Sequence, residues 1–478
     1  MASSLRRLND DPADKLKLLQ TTLLQAVDSV SPLRSVSKKV IEQVHPWIDR
    51  ELQESKHNRD LLYKLASLSK STTDWSNYKE SRRSFQSLNR KKMIIYFESK
   101  QIKDFKNSKK FWQFYKSSIK LKSDVSSSDM PTTMTNGDQS ASTFEDIASM
   151  FNSFFTSISS VSLTSKDECH SFINDHFKQL KRDSIISPGS FSFTPVSTDL
   201  VGKFIAKIDD TSSPGNAGIS PKILKLAPDI LVPVYTALFN SCIEKGIVPH
   251  EWKSAIVSPL FKNKGVNSDM NNYRGISVLS PLSKVFEKLL NEQIVAYLDK
   301  HNILFEGQHG FRKGHSCETA LHELITDINT ARDKRLTSML LFIDYRKAFD
   351  TVDSNLLLLK LFHYGFDNSA LKLIADYFAN RSQSTKVNGK LSGSASIPLG
   401  VPQGSCLGPL FFLIFINDLA YLLEGLQSKL FADDTTIYSS GPILSGVIVD
   451  FQKRIKPLGS WCALNRLDIT WSRLMLCL

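Results

Sequence analysis

Leu430-Phe431-Ala432-Asp433-Asp434-Thr435-Thr436-Ile437-Tyr438 sets two adjacent carboxylates between two strand-forming segments. β-Branched and aromatic residues flank the acids, so the stretch reads as a hairpin with Asp433 and Asp434 at its bend. Neighbouring carboxylates at a strand end repel one another and lose hydration, which shifts their pKa values or unfolds the turn unless a cation compensates. Oxygen ligands of this kind suit Mg²⁺, which takes one or two carboxylates plus waters and substrate phosphates. Two such ions side by side serve phosphoryl transfer. A solvated acidic turn is the competing reading, so partners elsewhere in the chain must decide.

The first partner lies upstream. Residues 339–343 are a continuous apolar run, hence a buried strand, and the run ends at Asp344. Asp344-Tyr345-Arg346-Lys347-Ala348-Phe349-Asp350 then turns the chain toward a helix over 356–362, with Asp353 or Ser354 as its N-cap. Because Asp350 and Asp353 have capping as another use, Asp344 is the preferred second half of a metal site. A helix at 371–378 and a hairpin over 384–397 with an Asn388-Gly389 turn follow. Leu399-Gly400-Val401-Pro402-Gln403-Gly404-Ser405 is a tight turn feeding a helix over 410–419. Its glycines let backbone pass close to a flat object such as a base pair, or serve plain turn chemistry.

Further out, the 252–261 run reads as a strand whose Pro259 belongs at an edge or end. Asn272-Tyr273-Arg274-Gly275-Ile276-Ser277 opens a strand or turn before a helix at 283–298, and a glycine-punctuated basic loop, 308–316, precedes a helix at 318–332. Arg274 and Arg312 each sit where backbone can approach a ligand. Guanidinium groups grip phosphate bidentately, so a triphosphate is the natural guess, although a lone arginine is more often a surface ion pair. Residues 144–155 read as a helix with core phenylalanines, Ser197 and Thr198 as the N-cap of a helix reaching 208, and 233–245 as another helix.

The chain has 478 residues, 41% of them hydrophobic and 23% charged, a globular composition with room for two or three domains. Its net charge of +12 is confined to the start: residues 1–125 hold 26 Lys+Arg against 14 Asp+Glu, and the remainder is balanced at 34 each. Residues 1–122 are helix-prone, with aromatics such as Trp47, Tyr63, Trp75, Tyr78, Phe111, Trp112, Phe114 and Tyr115 among the bases. That pattern suits a polyanion, nucleic acid before an acidic membrane surface, while ordinary amphipathic stripes or a protein-interaction module are the other readings. Residues 123–143 are a linker by composition. Six scattered cysteines without CxxC or His/Cys spacing argue for a reducing compartment and against structural zinc. The longest apolar stretch, 410–416, is too short to span a bilayer, which leads us to expect a soluble intracellular protein without a membrane partner.

Taken in order, NNYRGISVLS, GQHGFRKGHS, LLFIDYRKAFDTVD, LGVPQGSCLGPLFFLIFINDL and LFADDTTIY resemble the motifs of non-LTR (LINE-type) retrotransposon reverse transcriptases. The resemblance runs from about 200 to 470. PWIDRELQ, RDLLYKL and KKFWQFYKS look like the region joining endonuclease to polymerase in such elements. The resemblance implies an α+β right-hand polymerase: 144–245 leading into fingers at 246–335, and a palm at 336–478, incomplete and with no thumb or endonuclease, as in a truncated element. It implies Asp344, Asp433 and Asp434 as catalytic residues holding two Mg²⁺ (Mn²⁺ as a substitute). Arg274, Arg312, Phe349, Gln403 and Gly404 would contact the nucleotide, with Phe349 as the gate against a ribose 2′-hydroxyl, and Gly400 and Pro402 would contact nucleic acid. RNA template, DNA primer and deoxynucleoside triphosphates are the implied partners, and the nucleus the implied location; oligomeric state stays open. Group II intron maturases and a binding-only relic of such a polymerase are the rivals. The chain departs from the family at Gly275, where proline is usual, at Ala217, where Asp is usual, and at Arg473-Leu474, where a lysine is expected.

Overall fold

The computed structural model describes residues 11–32, 47–99, 130–131, 133–137, 139–157, 164–216, 218–423, 425–470 and 475–477. Ala217, Arg473, Leu474 and the aromatics at 111–115 lie outside the described residues. The chain forms two compact units, one of residues 33–129 and one of 1–32 with 130–478.

In the smaller unit, Arg50–Ser69 and Thr72–Glu98 form a helical hairpin. Asp49 and Ser71 cap the two N-termini by accepting from Leu52 N and Thr73 N, and Lys70 makes the turn in the left-handed conformation. Trp47 is buried and donates from Nε1 to Asn89 Oδ1 (3.0 Å). Tyr63, Trp75 and Tyr78 form a cluster of rings 5.2–6.2 Å apart, with Tyr63 and Trp75 reaching solvent.

The larger unit is α+β. Its strands are β1 (Met134–Asn136), β2 (Gln139–Ala141), β3 (Ser254–Phe261), β4 (Tyr273–Val278), β5 (Thr337–Ile343), β6 (Ser382–Val387), β7 (Lys390–Leu391), β8 (Ala395–Ser396), β9 (Gln427–Phe431), β10 (Asp434–Gly441) and β11 (Met475–Cys477). They pair as a hairpin β1-β2, an antiparallel sheet ordered β11-β5-β10-β9, and a mixed sheet β4-β3-β6-β7 with β8 on β6. Pro259 sits beyond the last β3–β6 pair, where β4 alone flanks the strand, so its missing N–H breaks no ladder on that side. Asn388 and Gly389, at φ +45° and +86°, make the β6–β7 turn.

Helices cover the sheets. The helix Gly408–Ile416 is apolar nearly throughout and buried almost everywhere, so it runs through the core. At its end Asn417 accepts from Phe305 N (2.7 Å) and donates to Ile303 O (2.9 Å) and the Tyr364 hydroxyl (3.0 Å). Asp418 next to it is fully buried, ion-paired with the equally buried Lys360, and accepts from Trp461 Nε1 (3.0 Å). The helix expected from Pro233 starts at Pro228 instead: proline at the first helical position costs nothing, and Pro233 is carried inside the helix. The helix Pro12–Val30 buries Leu16, Leu19 and Leu23, and Lys15 Nζ donates to Ser241 Oγ (3.2 Å) on Pro228–Lys245. No helix among the described residues is long and apolar enough to cross a membrane.

Candidate active site

β10 lies between β5 and β9, and its register sets Thr435 opposite Ile343. Asp344 and Asp434 are the residues next in sequence to that terminal pair, so both lie at the same end of the ladder. On the other flank Asp434 pairs with Phe431, leaving Ala432-Asp433 as a two-residue turn in which Ala432 takes φ +58°. Asp344 and Asp433 are half-buried. Burial, reinforced by Asp434 and Asp344, pushes the Asp433 carboxyl above its ordinary pKa, with Arg274 pulling the other way. Asp434 is raised too, by lost hydration and by Asp344. Three carboxylates from two strands therefore act on one another. The segment after β5 is pinned by Thr470 N donating to Asp344 O and Arg346 N to Asp468 O, both 2.8 Å.

A second layer surrounds this cluster. Arg274 is an exposed residue of β4 whose charge acts on both Asp433 and Asp350. Burial raises the Asp350 pKa, opposed by Gln403, Lys347, Arg274 and Lys262 in that order. Gln403 Nε2 donates to Asp350 Oδ1 (2.7 Å), and Gln403 O accepts from Ser277 N (2.7 Å). The 399–405 turn is thus strapped between the 349–352 segment and β4. Two glycines make this possible: a Cβ on Gly400 would lie 2.6 Å from Asp350 O, and one on Gly404 would lie 2.5 Å from Ser277 O. Pro402 O takes Ser405 N and Oγ, closing the turn into Gly408–Ile416. Phe349 stacks on Phe412 (4.5 Å, 25°) and meets Phe311 edge-on (6.1 Å), while its carbonyl holds Val401 N (2.8 Å). Asp353 caps the helix Ser354–His363 and accepts from Arg466 Nη1 (2.8 Å), so capping is its role.

Arg312 is the member set apart. Its Nη1 donates to Phe305 O (3.0 Å) and Gln308 O (3.2 Å), bracing its own loop. That loop is joined to the acidic turn, since Gln308 Oε1 accepts from Ala432 N (3.0 Å). Gly275, the departure from proline, pairs with Pro259, and its missing side chain leaves room for Phe155, whose ring a Cβ would meet at 3.2 Å. Sequence reasoning missed Lys262, Lys347 and Gln308. Lys347 is the residue between Arg346 and Ala348 in a stretch read for its acids, and it holds φ +50° with Nζ 4.6 Å from the Phe154 ring centre.

Among the described residues no three His, Cys, Asp or Glu side chains are grouped tightly enough to cage a metal on their own. Mg²⁺ does not ask for such a cage: paired carboxylates with repulsion to relieve, completed by water and phosphate oxygens, are its usual setting, and the acids here fit it. Residues 261–477 match the profile of the family described as reverse transcriptase (RNA-dependent DNA polymerase).

These residues form a reverse transcriptase domain.

The chain is 32% identical over 248 residues to the "Probable RNA-directed DNA polymerase from transposon X-element" of Drosophila melanogaster, covering 51% of this chain and 27% of that protein. It is 26% identical over 279 residues to the RNA-directed DNA polymerase from mobile element jockey of the same species, covering 57% and 30%. To the Pol polyprotein from type-1 retrotransposable element R2 of Popillia japonica it is 25% identical over 215 residues, covering 42% and 29%. The chain spans about a third or less of the length of these relatives. Arg274, Arg312, Asp344, Phe349, Gln403 and the Asp433-Asp434 turn all fall inside the reverse transcriptase domain.

Proposed function

We propose that this chain is an RNA-directed DNA polymerase of a non-LTR retrotransposon, extending a DNA primer 3′ end on an RNA template with deoxynucleoside triphosphates. The observation that carries the reading is the meeting of Asp344 with Asp433 and Asp434 at one end of the β5–β10 ladder, with the charge of Arg274 acting on Asp433. The β11-β5-β10-β9 sheet would be the palm, and β3, β4 and the 307–316 loop part of the fingers. Asp344 and Asp433 would hold two Mg²⁺, with Asp434 completing the acidic group. Metal held by these acids would supply a lowered pKa at the primer 3′-hydroxyl and neutralisation of the leaving pyrophosphate.

The chain's own residues do the positioning. Arg274 and Arg312 would clamp the triphosphate, and Lys262 and Lys347, whose charges already act on Asp350, would add to the positive field. Phe349, held by its stack on Phe412, would block the ribose 2′-hydroxyl and so select deoxynucleotides. Gly400, Pro402, Gln403 and Gly404 would form the floor under the template–nucleotide pair. The basic hairpin Arg50–Glu98 and its flanks would hold RNA, and the work would take place in the nucleus.

Primer extension tests the reading. Purified chain, primed RNA, Mg²⁺ and deoxynucleotides should yield extension that Asp433→Asn abolishes. Template binding without extension by the unaltered chain would refute it in favour of a binding relic.

A further inference from the structure

We infer that Gln308 is a positioning residue that ties the arginine-bearing loop to the acidic turn and fixes where Asp433 stands. This rests on the polymerase reading above. Gln308 is 2% exposed, and its Oε1 accepts two backbone N–H groups at once, from Ala432 (3.0 Å) and from Gly310 (2.8 Å). The backbone repeats the tie: Leu430 N donates to Gly307 O (2.8 Å) and His309 N to Leu430 O (2.7 Å), so the loop lies along β9 as a short parallel addition. His309, buried at 1% exposure, lies 2.9 Å from Thr319 Oγ1 through Nδ1 and 3.2 Å from Glu323 Oε2 through Nε2, and Glu323 also takes Lys429 of β9 (2.6 Å). The loop, the helix Cys317–Asp333 and β9 are thereby held as one piece.

Ala432 explains why such a brace is needed. A non-glycine residue at φ +58° relaxes toward the right-handed or extended regions unless its surroundings hold it. Its N–H is held by Gln308, and Asp433 is the next residue along the chain. Arg312 closes the circuit by donating to the Gln308 carbonyl. An arginine in line for the triphosphate, held by the main-chain carbonyl of Gln308, and a carboxylate in line for the metal, next to the N–H held by the Gln308 side chain, therefore share one residue as their reference point. The Nε2 of Gln308 is buried without a hydrogen-bond partner, so the acceptor oxygen is the part the turn uses.

The test compares Gln308→Leu, which removes the acceptor, with Gln308→Glu, which keeps an oxygen in place and takes up a proton in so buried a site. Two readouts are taken well below the melting temperature: amide hydrogen exchange across 430–434 in the metal-free full chain, and the Mg²⁺ concentration giving half-maximal primer extension. Gln308→Leu should speed exchange at Ala432 at least about tenfold and raise the Mg²⁺ requirement about tenfold, as a displaced ligand does, with Gln308→Glu within about threefold of the unaltered chain on both. If Gln308→Leu fails to fold, Gln308→Asn, one methylene too short to reach, takes its place with the same expectation. Unchanged exchange and unchanged Mg²⁺ requirement in a folded variant, with only a lower melting temperature, would overturn the inference. Absence of extension by the unaltered chain would strike the polymerase reading instead, and the exchange result would still decide the brace.

Discussion

Gly310→Ala is the smallest change that should separate the acidic turn from the loop beneath it. A Cβ at this position would lie 2.2 Å from Ala432 N, 2.9 Å from Ala432 Cα and 2.9 Å from Phe431 C, all backbone atoms of the turn. Ordinary contact begins at 3.4 Å, so the turn must retreat by about an ångström. Overpacking of this kind costs about 1–3 kcal/mol of stability. Misplacing a reacting group by about 1 Å costs on the order of a hundredfold in rate, so catalysis should suffer far more than folding. The assay is primer extension at saturating nucleotide beside thermal melting. Gly393→Ala serves as the control, since nothing lies within 4 Å of a Cβ there and its φ is not left-handed. A Gly310→Ala enzyme within twofold of the unaltered rate would mean that the turn had moved without consequence for the chemistry, and Asp433 would lose its assigned place in it.

Three other outcomes are expected. Lys360→Met strands the buried Asp418 carboxylate with Trp461 and loses the bond to Phe415 O, and should cost about 3–5 kcal/mol in urea unfolding, with Lys360→Met/Asp418→Asn recovering part of it; a single-variant loss under about 1 kcal/mol would count against the ion pair's importance. Phe349→Val should narrow the preference for deoxynucleotides over ribonucleotides by about 10–200-fold, read as the ratio of kcat/KM values, and an unchanged ratio would remove Phe349 from the gate. Asp433 has a folded pKa above its unfolded value, so the folded state holds that proton more tightly; the resulting stability is full below the unfolded pKa and lost as pH rises through the folded one. Asp433→Asn should therefore raise the melting temperature at neutral pH without metal, the gain fading as pH falls toward 4, and a variant less stable at pH 7 would contradict the burial and repulsion described here.

What could be read from the sequence was local. The run ending at Asp344 announced β5 because a strand buried on both faces needs continuous apolar residues, and Asn388-Gly389 announced its turn because few residues accept positive φ. Asp353 was legible as a cap from its place one residue before a helix. The pairing of the two acidic strands, set by register, could only be expected from the order of motifs. Contacts that join distant parts left no local trace: Gln308 lies 124 residues from Ala432, and Lys360 lies 58 from Asp418. Nothing in the period of the Pro12–Val30 helix says that it packs on Pro228–Lys245, and a lysine such as Lys262 reads as surface until a fold brings it near Asp350. The early start of the Pro228–Lys245 helix was hidden because two prolines within it each read locally as a beginning.

Carboxylates from the end of β5 and from the β9–β10 turn should meet on shared metal. The most direct measurement of this is the anomalous scattering of Mn²⁺ in crystals of the chain with primed RNA and an incoming nucleotide. Manganese should lie about 2.1 Å from carboxylate oxygens of both Asp344 and Asp433, the distance hard-cation ligation requires. Manganese bound elsewhere, or these two carboxylates turned away from a common ion, would contradict it.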